Sequence, residues 1–231
     1  MPAVLGFGLV GGGLLGVVLS ISAGWINSAG AIASGAGLLV AIAGTVDDLV
    51  SGGPRGLREH LRALAHGEVS TGLVKLIVIT AAASITVAAS MRTDALLRIS
   101  GVVLIAGATN LWNGLDVRPG RALKAFLVLA ATGIVWLPHA APFAVGVALA
   151  ALIVLVPDLR EIAMLGDAGA NLLGFTAGVT LFVRSNASWV PFEAALMIVL
   201  NIVADTVTLS RVIEAVPPLR WIDGLGVSPA E

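Results

Sequence analysis

Four polar clusters interrupt an otherwise apolar chain: Asp47-Asp48, then residues 110–116, 166–171 and 210–223. Carboxylates and amides are the hard oxygen donors that hold magnesium and position phosphates. Adjacent carboxylates on a helix end point about 100° apart, so one of Asp47 and Asp48 can hold a metal while the other contacts substrate. They follow an apolar run, where the helix dipole disfavours acids, so simple solvation of a helix end explains them poorly. Asn110, Asn113 and Asp116 recur every third residue and share a face; two amides and a carboxylate suit sugar hydroxyls or a phosphate–magnesium unit. Arg118, Arg121 and Lys124 follow at once. They suit a diphosphate or anionic headgroups, although membrane topology alone also places cations there.

Asp167 lies between Gly166 and Gly169, which lets backbone approach a ligand closely. Asn171 is four residues on, at the start of an apolar run, where free N–H groups attract anions. Helix capping accounts for either residue singly, less well for the glycine-flanked set. The segment lacks the Gly-Lys-Ser/Thr ending of a nucleotide-binding P-loop. Of the three histidines, His60 and His66 are six apart, off helical register for one metal, and His139 falls in an outer loop. Glu193 and Asp205 bracket the last apolar run. Asp205 is close enough to the site end to join it, or simply to be solvated at the interface.

These groups must be carried by membrane helices. The chain has 231 residues, 58% hydrophobic and 12% charged, and a mean hydropathy of +1.01. A soluble domain carries about 25% charge, so this composition demands a membrane. The absence of cysteine excludes disulfides and thiolate metal sites, and a net charge of -1 argues against nucleic acid. The expected fold is all-α: one domain, 1–231, of about eight transmembrane spans, at 3–23, 29–46, 73–90, 95–110, 122–138, 140–156, 168–184 and 189–208. No Lys or Arg precedes Arg55, so the first run reads as a retained span rather than a cleaved signal peptide. Gly8, Gly12 and Gly16 form a small-residue stripe that close helix packing explains. The loop 51–72 reads as an amphipathic helix opening at Pro54, with Leu57, Leu61 and Leu64 on one face, at the headgroups or in solvent.

Basic residues set the orientation. Arg55, Arg58, Arg62, Lys75, Arg118, Arg121, Lys124, Arg160, Arg211 and Arg220 fall on one side. Only Arg92, Arg98 and Arg184 fall on the other, which assigns the first side, both chain ends, the tail 209–231 and all four polar clusters to the cytoplasm of a multi-pass plasma-membrane protein.

Three segments then resemble, in order, the polyprenyl-phosphate N-acetylhexosamine-1-phosphate transferases, the family of translocase I of peptidoglycan synthesis. Gly44-Thr-Val-Asp-Asp-Leu49 is similar to that family's Gly-x-x-Asp-Asp, and Gly72-Leu-Val-Lys75 to the Lys that follows it. Asn110-Leu-Trp-Asn-Gly-Leu-Asp116 resembles Asn-Leu-x-Asp-Gly-Leu-Asp. Met164-Leu-Gly-Asp-Ala-Gly-Ala-Asn171 resembles Met-Gly-Asp-x-Gly-Ser, continued by Leu173-Gly174-Phe175. The resemblance covers about 44–175. It implies a magnesium-dependent transfer of a sugar 1-phosphate from a UDP-amino sugar to a polyprenyl phosphate, with release of UMP, in cell-wall or surface-glycan synthesis. By motif position Asp47, Asp48, Asp116 and Asp167 would be catalytic, with Asp167 the main magnesium ligand and Asp48 assisting. Lys75, Asn110, Asn113 and Asn171 would contact substrate, with Arg118 and Arg121 on phosphate.

The chain departs from the family at three places. Asn113 stands where the motif has Asp, the His-rich loop near the C-terminus is not found, and only two spans precede Asp47. Asn113 motivates a second reading, a relative that binds polyprenyl phosphate or nucleotide sugar without turnover, since an amide coordinates but is no base. A small secondary transporter ranks last, because its site belongs near the bilayer midplane and these acids gather at span ends. Pairing of two copies as a homodimer is left open.

Overall fold

The computed structural model describes residues 2–50, 66, 70–132, 142–207 and 209–227. Those residues form helices and no strands beyond one isolated bridge. In chain order they are α1 (Leu5–Ser22), α2 (Ser28–Leu49), α3 (Thr71–Ala89), α4 (Ala95–Leu115), α5 (Arg121–Ala131), α6 (Pro142–Leu159), α7 (Gly166–Arg184), α8 (Val190–Val207), α9 (Leu209–Ala215) and α10 (Pro217–Gly224). A helix lies within each of the eight expected windows. Five of them, α1, α2, α3, α4 and α8, are long and apolar enough to cross a membrane, and α6 has a shorter apolar stretch, Phe143–Leu159. The proposed amphipathic helix opening at Pro54, His60, His139 and the far end of the 122–138 window lie outside the described residues.

Local sequence starts these helices where it should. Asn27 accepts a hydrogen bond from Gly30 N–H at 2.7 Å, and Asp94 accepts one from Leu97 N–H at 2.8 Å, each satisfying a donor that has no partner inside its helix. Large apolar side chains such as Leu19, Ile77, Ile99, Ile153 and Phe192 remain outward and exposed, the arrangement expected of helices bathed by lipid rather than water.

The helix at the centre is α7. Residues 168–180 of it are all buried, packed against α1, α2 and α4. Small residues make that possible. A Cβ at Gly174 would lie 2.6 Å from Thr109 Cα, and one at Gly178 would lie 2.8 Å from Ile105 Cα, so α4 and α7 touch backbone to backbone. The two helices run antiparallel, which brings the start of α7 level with Asp116 at the end of α4. The glycine stripe of α1 works as expected from sequence: Gly12 meets Gly146 and Ala150 of α6, and Gly8 meets Val154.

The polar groups sort to two ends of this bundle. At one end Arg92 donates to the carbonyls of Val183 and Ser185, with its guanidinium over the Phe182 ring, and Arg98 donates to the Arg92 carbonyl. Asp47, Asp48, Lys75, Asp116, Asp167 and the tail gather at the other.

Candidate functional site

The site is organised by the first turn of α7. Its first N–H groups have no partner inside the helix, and Leu165 at the cap position supplies none. Asp48, in the last turn of α2, fills the gap. Its Oδ1 accepts from Asp167 N–H at 3.0 Å and its Oδ2 from Ala168 N–H at 3.3 Å. An acid that opposes the dipole of its own helix therefore sits at the favourable end of another. Gly166 opens the helix with φ +68°, and a Cβ there would lie 2.7 Å from Asp48 Oδ2, so glycine is required for both reasons. The preceding strand-like contact fixes the entry: Leu5 N–H bonds Met164 O and Gly6 N–H bonds Leu165 O, both at 3.2 Å.

Lys75, near the start of α3, bridges two carboxylates. Its ammonium lies 2.5 Å from Asp47 Oδ2 and also donates to Asp167 Oδ2. The three side chains are only 14%, 19% and 29% exposed, so the ion pair operates with limited screening by solvent. Asp116 follows the last turn of α4 and faces the same turn of α7, bonding the Gly166 backbone. Burial raises its carboxyl from the ordinary value of 3.8 to about 7, reinforced by the negative charges of Asp158, Asp167 and Asp48. An acid raised in the folded state contributes stability that is fully present below pH 3.8 and is lost as pH climbs through about 7. Thermal midpoints of the protein in detergent with EDTA should therefore fall between pH 5 and 8, and the Asp116→Asn variant should show a shallower fall. Parallel slopes for the two proteins would contradict this assignment.

The amides fare differently. Asn110 donates to Asn201 Oδ1 at 2.6 Å, and Asn201 donates to the carbonyls of Gly107 and Met197 at 2.9 and 2.8 Å. Asn110 is thus occupied in clamping α4 to α8. Among the described residues, neither side-chain polar atom of the buried Asn171 has a hydrogen-bond partner, and the buried Asn113 Oδ1 has none either. Both flank the α4–α7 contact just below the carboxylates.

Arg118 and Arg121, expected to hold phosphate, meet carboxylates of the chain's own tail. Arg121 is forked onto Asp223 at 2.7 and 2.8 Å, and Arg118 lies 2.5 Å from Glu214. The contact with Arg121 holds the Asp223 carboxyl below its ordinary range, against the smaller opposing effect of burial. Asp205 is exposed on α8 and joins neither group.

Two residues of consequence were not singled out from sequence. Asp158 is buried and accepts from Gly120 N–H at 2.6 Å, tying the end of α6 to the start of α5 beside Asp116. An acid directly after Pro157 at the end of an apolar run was the available signal. Asn201 is a lone amide within an apolar run, the pattern of an interhelical hydrogen bond.

The chemical capacity is that of an anionic cup with one cation bridging two of its acids. Four carboxylates, an ammonium and two unpartnered amides converge at one end of the bundle. Among the described residues no group of three or more His, Cys, Asp or Glu is set to hold a metal ion. The Lys75 ammonium stands between Asp47 and Asp167. Comparison of the chain with protein-family models, with curated proteins and with solved structures finds no match.

Proposed function

We propose that the chain is a membrane-embedded transferase that moves a sugar 1-phosphate from a UDP-amino sugar to a polyprenyl phosphate, releasing UMP. The observation that carries this reading is convergence. Asp47-Asp48, Lys75, Asp116 and Asp167 are dispersed over 120 residues of sequence, yet they meet around the first turn of one helix. Structural capping needs one carboxylate there, and four exceed that need.

In the reaction an oxygen of the lipid phosphate attacks the β-phosphorus of the nucleotide sugar. The bond to the bridging oxygen breaks, and UMP departs with that electron pair. Two anions must approach, so their charge has to be screened. Magnesium would supply that screening, and the donor set suits it: carboxylate oxygens, with Asp167 and Asp48 the residues to hold the ion and Asp47 close by. Lys75 is placed to exchange its carboxylate partners for phosphate oxygens. Asp116, partly protonated near neutral pH, can donate a hydrogen bond to a phosphate oxygen where an ionised acid would repel it. The reading places all eight helical windows across the plasma membrane, with the acidic end and both chain ends on the cytoplasmic side.

The test is to incubate the purified protein with undecaprenyl phosphate, magnesium and a panel of UDP-amino sugars, and to measure UMP. Release is expected with at least one sugar, and Asp167→Asn and Asp48→Asn should abolish it. Silence across the panel, beside a working control transferase, would count against turnover. A specific observation favours the second reading in that event: Asn113, at the position of a family carboxylate, keeps its buried Oδ1 without a partner. A binding relative would retain affinity for polyprenyl phosphate or nucleotide sugar while releasing no UMP.

A further inference from the structure

Next to the acidic cup, two arginines converge on one carboxylate and a lysine holds the backbone beside it. Arg121 presents Nε and Nη2 to the two oxygens of Asp223, and its Nη1 donates to Ser210 Oγ at 2.9 Å. Arg118 Nη1 stands 3.7 Å from Asp223 Oδ2 while its Nη2 holds Glu214. Lys124 donates to the backbone carbonyls of Asp223 and Leu225. The Arg121 and Asp223 side chains are only 4% and 12% exposed. A fork of guanidinium donors backed by a second arginine and a lysine is a donor set that fits a phosphate as well as a carboxylate.

The segment that supplies the carboxylate is otherwise loosely held. Neither α9 nor α10 buries a single residue, and Leu219, Trp221 and Leu225 remain exposed. Beyond Leu209, which packs against the core, charge rather than apolar burial docks the tail, so it belongs to the readily opened part of the fold. Its departure would strip Asp223 and Glu214 from the cations, with Asp158 the remaining acid beside Lys124. Arg121 is nearly buried in the docked state, so an arriving anion that pairs with it favours the tail's departure.

We propose that Arg118, Arg121 and Lys124 form a phosphate site that the C-terminal segment 209–227 occupies in the resting protein, Asp223 standing where a phosphate or diphosphate group binds. Arrival of the ligand releases the tail. That group is carried either by a lipid headgroup or by a free phosphate compound. The exchange requires no turnover, so it stands or falls separately from the transferase reading.

The chain has no cysteine, so Trp221→Cys in the full-length protein accepts a single nitroxide on an exposed position of α10. In phosphatidylcholine nanodiscs without magnesium the label should be immobile. Inorganic pyrophosphate should mobilise it if a free phosphate compound is the ligand. Nanodiscs containing phosphatidic acid should mobilise it without addition if a lipid headgroup is the ligand. Sodium chloride of matched ionic strength should do neither. Calorimetric titration with pyrophosphate supplies the second measurement. A site covered about nine-tenths of the time loses about tenfold in apparent affinity, so Asp223→Asn should tighten binding by about that factor. Adding Arg121→Gln to that variant should remove the gain. A label indifferent to both phosphate sources, release by chloride alike, or an Asp223→Asn variant that binds no better than the parent would each overturn the exchange and leave a plain structural clamp.

Discussion

Lys75→Met should leave a protein that is markedly less stable and newly dependent on magnesium. The ammonium holds Asp47 and Asp167 together, and all three side chains are less than a third exposed. Removing one member of a buried ion pair costs about 3–5 kcal/mol, because the remaining charge is left without compensation. Here two like charges would be left facing each other across the α2–α7 contact, with partial solvent access moderating the loss toward the lower end. Two carboxylates deprived of their cation are also half of a hard-metal site, and magnesium binding to the folded state adds stability in proportion to RT ln(1 + [L]/Kd). Thermal midpoints with and without magnesium are the measurement. The wild-type protein should respond weakly, because Lys75 already neutralises the pair, and Lys75→Met should recover much of its loss. A variant as stable as the parent, or one blind to magnesium, would show that the bridge is not what balances the cup. The same comparison bears on the transferase reading, in which Asp167 would pass from Lys75 to magnesium.

Gly44→Ala should disable the site through a single methyl group. A Cβ at that position would lie 2.6 Å from both the carbonyl carbon and the carbonyl oxygen of Asp167, and 2.7 Å from Ala168 Cα. The obstacles are backbone atoms of a buried helix, so no side chain can swing aside. Relief requires α2 and α7 to part by about an ångström, an overpacking strain of about 1–3 kcal/mol. The separation acts directly on the Asp48 carboxylate, one helical turn on, whose bonds to Asp167 and Ala168 N–H are already 3.0 and 3.3 Å. A misplacement of that size in a catalytic constellation costs about a hundredfold in rate. On the transferase reading, UMP release should fall by roughly that factor, while the protein still purifies as a folded species by thermal melt. Unchanged turnover in Gly44→Ala would mean that the α2–α7 spacing is not what positions the acids.

The helical character was legible because it rests on bulk properties. Continuous apolar runs name helices wherever water is absent; each of the eight windows overlaps one, and five of those are long and apolar enough to cross a membrane. The acidic site was legible because its motifs keep fixed short spacings, and Asp47, Asp48, Lys75, Asp116 and Asp167 do come together. What remained hidden was partnership. Asn110 looked like a substrate contact because nothing in the local sequence announces Asn201, 91 residues away. Arg118 and Arg121 looked like free phosphate ligands because their partners, Glu214 and Asp223, belong to a tail whose path back to α5 depends on tertiary docking. Local spacing tells which side chains share a face. It does not tell which of them another part of the chain has already engaged.

The central position of α7 carries a consequence for how the molecule is assembled. This helix, with Asp167, Asn171, Thr176 and Thr180 among its buried or half-buried residues, is not among the five helices of the described residues that are long and apolar enough to cross a membrane. Its partition from water into lipid is therefore weakly driven, and its place must be secured by neighbours that present complementary grooves and, in Asp48, a waiting acceptor. Assembly of the bundle therefore leans on α1, α2 and α4, whose contacts with α7 bury residues 168–180.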